Sequence, residues 1–246
     1  NPVIDITFDG RHILNGELVS AKPQIDIRMK DENLFLPLND TTDYEIVLLY
    51  PDANGTPTIE QLVPFNSPML LFTPANPGQA GQGNNIASIQ INPQFTTDGK
   101  YGLVVRAKDR TNNAFAGKNV YKTLFEIITK ASISNLVNYP NPFTTQTRFV
   151  FTLTGSEVPE NLSLQILNIS GRVVREINRN ELGHIAVGHN ITEFAWDGTD
   201  QYGDPLGNGV YLYRVISKLN GQNMERYKTS ADDYFTKGYG KMYLLR

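Results

Sequence analysis

Short stretches in which apolar and polar side chains alternate recur along the chain, and turn residues separate them. A clear example is Gly209–Ser217, where VYLYRV follows a loop rich in glycine and aspartate. Alternation with a period of two is the pattern of a β-strand, because successive side chains point to opposite faces of the sheet. No stretch carries the 3.6-residue apolar stripe of an amphipathic helix. The pattern predicts an all-β fold.

The number and spacing of these stretches favour β-sandwiches, since about seven short strands make one such domain. A chain of 246 residues has room for two consecutive immunoglobulin-like β-sandwich domains. We place them at residues 1–130 and 131–246, with Lys130–Asn135 as a short polar connection and Phe72–Asn85 as a long loop. The predicted strands are Val3–Phe8, Gln24–Met29, Tyr44–Tyr50, Thr58–Val63, Ile86–Ile91, Tyr101–Ala107, Val120–Ile128, Phe149–Leu153, Leu162–Ile169, Arg172–Ile177, Asn190–Ala195, Gly209–Ser217, Met224–Lys228 and Tyr239–Leu245.

One tyrosine indicates the sandwich fold more directly. Tyr101 begins a strand just after the turn Asp98–Gly99. In immunoglobulin-like sandwiches a tyrosine at this place forms a corner, and its hydroxyl bonds to the backbone a few residues upstream. We predict that Tyr101 has this role.

Composition narrows the classes of partner. The net charge is −3, so no general basic field attracts nucleic acid, and no apolar run is long enough for a transmembrane segment. The first residues, NPVIDITFDGRH, lack the basic start and apolar core of a signal peptide, and we interpret the chain as a C-terminal fragment of a longer protein.

The chain carries no recognisable catalytic constellation. It has no cysteine, no G-x-S-x-G elbow and no phosphate-binding loop, and its three histidines are scattered. We therefore predict a fragment that is not an enzyme, with no catalytic residues, no cofactor and no metal site.

Ordered motifs in the second half carry a family resemblance. They are YPNPF at 139–143, the hairpin around ISGRVVREI and WDGTDQYGDPLGNGVYLYRV at 196–215. Together they resemble the immunoglobulin-like domain of the flagellar hook-capping protein (FlgD-like), over roughly Leu136 to Arg246. Bacteroidetes carry this domain at the C-termini of proteins exported by the type IX secretion system, and GYGKMYLLR is similar to the end of such a signal. A flagellar role is disfavoured, because neither the first domain nor that ending fits it.

The stretch FDGRHILNGELVSAKPQIDIRMKDEN resembles the β-module that follows the peptidase domain in gingipain-like proteins of the PorU type. The two resemblances imply a spacer module followed by a sorting domain, with any catalytic cysteine and histidine in the parent protein's N-terminal domain. They imply the type IX translocon and a PorV-like outer-membrane barrel as partners. The implied location is the cell surface or the extracellular medium.

The predicted partner-binding site is the terminal strand Gly240, Lys241, Met242, Tyr243, Leu244, Leu245 and Arg246. Its alternation suits an edge strand that pairs with a partner through its backbone. It equally suits a strand that completes its own sandwich and so removes an exposed edge.

Two alternatives concern the motif WDGTDQYGDPLGNGVYLYRV. Asp197, Asp200 and Asp204 are hard oxygen ligands that suit Ca²⁺, although turn chemistry alone accounts for aspartates in such a loop. Tyr211 and Tyr213 share one face of a strand, where they either pack in the core or form the platform of a carbohydrate-binding adhesin. Trp196 is expected to anchor the core.

Overall fold

The structure is a computed structural model that describes residues 3–32, 37–76, 85–107, 120–219, 222–223, 225–226 and 239–246. These residues form β-strands joined by turns, together with a 3-10 turn at Thr41–Asp43 and a single turn of α-helix, α1, at Arg179–Leu182. The chain divides into two compact units, residues 1–129 and residues 130–246. The predicted all-β fold is confirmed.

The first unit has nine strands in two sheets over its described residues. Their bounds are β1 Val3–Phe8, β2 Glu17–Val19, β3 Ile25–Lys30, β4 Tyr44–Pro51, β5 Pro57–Leu62, β6 Leu70–Thr73, β7 Ile86–Ile91, β8 Gly99–Ala107 and β9 Val120–Ile127. One sheet has the order β1-β3-β7-β6, and the other has the order β2-β9-β8-β4-β5.

The inner faces of these two sheets share one core. Ile25, Ile27 and Met29 of β3 are fully buried, while Asp26, Arg28 and Lys30 point away from the core. Tyr101 forms the predicted corner, because its hydroxyl donates to the carbonyl oxygen of Thr97 at 2.9 Å. The alternation read from the sequence is therefore the alternation of burial.

The second unit also contains two sheets. Its strands are β10 Ser132–Tyr139, β11 Arg148–Thr154, β12 Asn161–Leu167, β13 Val173–Ile177, β14 Gly188–Ile191, β15 Gly209–Leu219, β16 Gln222–Asn223, β17 Glu225–Arg226 and β18 Gly240–Leu244. One sheet has the order β14-β11-β10-β17. The other has the order β13-β12-β15-β16, and β18 pairs with the first part of β15.

The core of this unit also draws on both sheets. Phe149, Phe151 and Leu153 of β11 are fully buried and face Leu164 and Ile166 of β12 within one cluster. The hairpin predicted around Asn168–Gly171 joins β12 to β13, and the Asn168 side chain accepts bonds from Ser170 and from the amide of Arg172.

Two predicted irregular segments are wrong in part. Lys130–Asn135 was expected to be a polar connection, but β10 starts at Ser132. Ser132 can be buried because its hydroxyl and its amide both form hydrogen bonds with the hydroxyl of Thr154. The strand β6 lies at the start of the expected loop Phe72–Asn85, whose residues 77–84 lie outside the described part. Most of the predicted strand Met224–Lys228 also lies outside it, apart from β17.

Candidate functional site

The terminal strand β18 lies beside β15 in antiparallel register, with Met242 opposite Tyr211. Gly240, Met242 and Leu244 are buried, whereas Lys241, Tyr243 and Leu245 are directed away from the core. Arg246 follows the strand and is exposed. The structure thus brings all the predicted partner-binding residues together on one strand, but only alternate side chains face outward.

The core beneath β18 contains a row of aromatic rings that come from the motifs YPNPF and WDGTDQYGDPLGNGVYLYRV. Phe143 of YPNPF packs on Trp196 with ring centroids 5.5 Å apart, and Trp196 meets Tyr211 edge-on at 5.6 Å. Trp196 is fully buried, and its indole N–H donates to the carbonyl oxygen of Thr199 at 2.8 Å. The prediction that Trp196 anchors the core is confirmed.

Two glycines allow the strand to approach this core. A Cβ atom on Gly240 would lie 2.2 Å from Cζ of Tyr213, so a larger residue could not occupy that position without displacing the ring. Gly198 has a φ of +81°, and a Cβ there would lie 2.9 Å from a methyl carbon of Leu244. Close approach explains glycine at both positions, and at Gly198 the positive φ favours glycine as well.

The outer edge of β18 is closed by the segment Asn141–Phe143. The amide of Tyr243 donates to Oδ1 of Asn141 at 3.0 Å, and Nδ2 of Asn141 donates to the carbonyl oxygen of Lys241 at 3.0 Å. The amide of Phe143 donates to the carbonyl oxygen of Tyr243, and the amide of Leu245 donates to the carbonyl oxygen of Phe143. Since β15 occupies the other edge, β18 is paired along both sides within its own unit.

The end of β18 is held by Asn208. Its Oδ1 accepts from the amide of Arg246 at 2.7 Å, and its Nδ2 donates to the carbonyl oxygen of Arg246 at 3.0 Å. The guanidinium of Arg246 also donates to the carbonyl oxygen of Asp197, which ties the terminal residue to the loop after Trp196.

The first unit repeats this arrangement. Asp98 accepts bonds from the amide and hydroxyl of Thr129 at 2.7 and 2.6 Å, two residues beyond the end of β9. Thr129 and Arg246 are equivalent, because Gly99 pairs with Ile127 as Gly209 pairs with Leu244. Asp98 and Asn208 each begin the pattern Asp/Asn-Gly-x-Tyr, which is the one sequence signal that could have identified Asn208.

Tyr211 is therefore a second tyrosine corner, which the sequence analysis missed. Its hydroxyl donates to the carbonyl oxygen of Gly207 at 2.8 Å, four residues upstream, as Tyr101 does to Thr97. Burial raises the pKa of Tyr211 and raises that of Tyr213 to about 12. Both residues are in the core, with 8% and 3% of their surface exposed, so of the two interpretations the structure has core packing and no exposed platform of these tyrosines.

The aspartates of the loop are used to shape it. Oδ1 of Asp197 accepts from the hydroxyl and amide of Thr199, and this hydroxyl bond is the main cause that lowers the pKa of Asp197. Oδ1 of Asp200 accepts from the amides of Tyr202 and Asp204. Over the described part of the chain, no group of three acidic or histidine side chains is placed to hold a metal ion. The calcium alternative has no ligand cluster to support it.

Comparison with known proteins gives one family match. Residues 135–221, about a third of the chain, match the FlgD Ig-like domain. A comparison with curated proteins returned no match.

In the described ranges, no helix is long and apolar enough to cross a membrane.

Several solved structures align with the chain at low similarity. Dimeric latent PorU from Porphyromonas gingivalis aligns with 17% identity and a TM-score of 0.36, over 99% of this chain and 20% of PorU. The BSP domain of a biofilm-associated protein aligns with 11% identity and a TM-score of 0.27, over 93% of this chain and 28% of that one. The class 5 fimbriae chaperone CfaA aligns with 14% identity and a TM-score of 0.25, over 98% of this chain and 100% of that one. This chain thus spans about a fifth of the PorU chain, and at these TM-scores the likeness carries no weight for function.

Proposed function

We propose that residues 131–246 act as a C-terminal sorting domain for type IX secretion in a bacterial protein of the cell surface or the medium. In this proposal the translocon and a PorV-like outer-membrane barrel recognise the folded domain. Residues 1–130 are a spacer between this domain and the parent protein's N-terminal domain, and neither unit is catalytic.

Two findings support the proposal. Residues 135–221 match the FlgD Ig-like domain. The sequence resemblance implies that proteins exported by the type IX system carry a domain of this family at their C-termini. The motifs YPNPF and WDG and the ending GYGKMYLLR, which lie far apart in sequence, converge on β18 through Phe143, Trp196 and Leu244.

The observation that carries the proposal is that β18 is paired on both edges. A strand in this position cannot offer its backbone to a partner without first leaving its own sheet. Recognition therefore uses the outward side chains Lys241, Tyr243 and Leu245. The carbohydrate-binding alternative requires Tyr211 and Tyr213 to be exposed, and both are buried.

The test fuses a fluorescent passenger to the start of the whole chain in a Bacteroidetes host, with and without a working type IX system. We expect the passenger on the surface or in the medium only when the system works. The double substitution of Lys241→Glu and Tyr243→Ser should reduce export, whereas Asn161→Ala, an exposed position at the start of β12, should not. Periplasmic retention in both hosts would refute the sorting role.

A further inference from the structure

We propose that the outer face of the β15–β18 ladder is a docking surface for an acidic segment of a partner protein, and that Arg214 binds a carboxylate of that segment. The surface, here called the Arg214 face, comprises Val210, Leu212, Arg214, Tyr239, Lys241 and Tyr243. The inference deepens the proposed function and rests on it in one respect, namely that the folded domain is what the partner recognises.

Strand register places these residues on one face. Tyr243 lies beside Val210 and Lys241 lies beside Leu212, and each of these pairs has its side chains directed away from the core. Tyr239 precedes β18 and reaches Arg214, whose Nη1 donates to the tyrosine hydroxyl at 3.0 Å. The aromatic and cationic side chains of this face thus lie beside the half-buried aliphatic side chains of Val210 and Leu212.

Among the described residues, the groups that hold Arg214 in place are neutral. Its Nε and Nη2 donate to Oε1 of Gln165 at 3.0 and 2.8 Å, and its Cζ lies 5.5 Å from the centre of the Tyr239 ring. A guanidinium has five N–H donors, so donors remain beyond these three bonds. The side chain is half-buried and oriented before any partner arrives.

No described carboxylate forms an ion pair with Arg214 or Lys241. The nearest acidic side chain in the register is Glu176, which is separated from Arg214 by the intervening strand residue Gln165. Glu176 is itself occupied as the acceptor of a bond from the Ser163 hydroxyl at 3.0 Å. The positive charge of the Arg214 face is therefore not neutralised by these neighbours.

The chemistry of this face selects a protein carboxylate. An arginine whose planar fork is fixed favours a carboxylate, which can accept two parallel bonds. Tyrosine and arginine are enriched among the interface residues that contribute most of the binding energy, and on the Arg214 face they lie next to apolar side chains. Two cations are too few to follow a row of phosphates, and the chain has a net charge of −3, so a nucleic acid does not fit.

Binding of poly-L-glutamate to the purified chain tests the inference, with dextran sulfate as an anionic saccharide and poly-L-lysine as the control of opposite charge. We expect poly-L-glutamate to bind and salt to weaken it. Arg214→Gln should weaken binding by at least about tenfold, since it removes one partner of a hydrogen-bonded charge pair. Arg214→Lys, which keeps the charge but loses the fork, should give an intermediate loss, and Lys218→Gln, an exposed cation farther along β15, should change nothing.

The outcomes separate this inference from the sorting role. No binding, an equal loss with Lys218→Gln, or binding of dextran sulfate alone would overturn the docking surface. A chain that is exported but does not bind poly-L-glutamate keeps the sorting role and loses this surface. A chain that binds through Arg214 but is not exported keeps the surface and loses the sorting role.

Discussion

The side chain of Asn141 pairs with the backbone around Tyr243 as a neighbouring strand would. It accepts from the amide of Tyr243 and donates to the carbonyl oxygen of Lys241, both at 3.0 Å. An unpaired strand edge is a template for association with other chains, and here the side chain of Asn141 makes two of the four hydrogen bonds that close one, the backbone of Phe143 making the other two. The residue lies 102 positions upstream of Tyr243, so it links the start of the unit to its last strand.

We predict that Asn141→Ala lowers the free energy of unfolding of the second unit by about 1–3 kcal/mol, because two hydrogen bonds to β18 are lost. Hydrogen exchange of the Tyr243 amide should accelerate strongly, while that of Met242, which faces β15, should change less. Urea unfolding and exchange read by NMR measure the two effects. Asn161→Ala is the matched control, and equal losses in both variants would contradict a specific role of Asn141.

Adjacent leucines at the end of β18 should respond in opposite ways. Leu244 is fully buried, so Leu244→Ala should cost about 2–5 kcal/mol through lost burial and the cavity it leaves. Leu245 is 50% exposed, and Leu245→Ala should stay within about 0.5 kcal/mol. Fluorescence of Trp196, the only tryptophan, follows unfolding of this unit. Similar costs for the two substitutions would contradict the register of β18.

These leucines also show what the sequence can reveal. Alternation placed Leu244 and Leu245 on opposite faces, since a strand has a side-chain period of two, and the structure has them so. The same rule found most of the longer strands. It failed at Ser132, where burial depends on Thr154, a partner 22 residues away that no local pattern reveals.

The candidate site was predictable in outline only. The position of the terminal strand and the packing of Trp196 follow from apolar pattern and motif order. The bond of Asn141 to β18 spans 100 residues and the bond of Asn208 to Arg246 spans 38, and asparagine in a turn has an adequate local explanation without them. The pattern Asp/Asn-Gly-x-Tyr marks the position of Asn208, but the long-range contacts themselves become visible only when the chain is folded.

Both tyrosine corners should contribute to stability through their hydroxyl groups. Tyr101→Phe should lower the stability of the first unit by about 1 kcal/mol or more, because it removes the hydroxyl that bonds to both the hydroxyl and the carbonyl oxygen of Thr97. Tyr211→Phe should lower the stability of the second unit by about 1 kcal/mol, because it removes one hydrogen bond and keeps the ring. Hydrogen exchange in β8 and β15 reports on each unit separately. Tyr202→Phe is the control, since Tyr202 is 90% exposed, and a loss of stability as large in that variant would contradict the role of the corners.

Acid should weaken the first unit at Asp98. The hydroxyl and amide of Thr129 donate to this carboxylate and lower its pKa below the ordinary aspartate value. A lowered folded-state pKa gives stability that is present above the unfolded pKa and is lost as the pH falls through the folded pKa. Asp98→Asn should therefore reduce the loss of stability between pH 5 and strongly acidic conditions.

The comparison is made by urea unfolding of wild type and Asp98→Asn across that range, followed by amide signals of β8 and β9. At neutral pH the variant should be the less stable of the two, because a charged acceptor forms the stronger bond. The second unit has the same sequence in both proteins, so its pH profile should be the same in both and serves as the internal control. Parallel pH profiles for wild type and variant in the first unit would contradict the prediction.

The pairing of β18 has a consequence for how the protein is made. Its two neighbours, β15 and the segment Asn141–Phe143, are synthesised earlier, and between them they leave a slot that receives Met242 and Leu244. A polypeptide interrupted before this point, by an early stop or by a protease, retains an open apolar slot that chaperones and quality-control proteases can detect. The second unit can therefore complete its core only in a polypeptide whose translation has continued through residue 244.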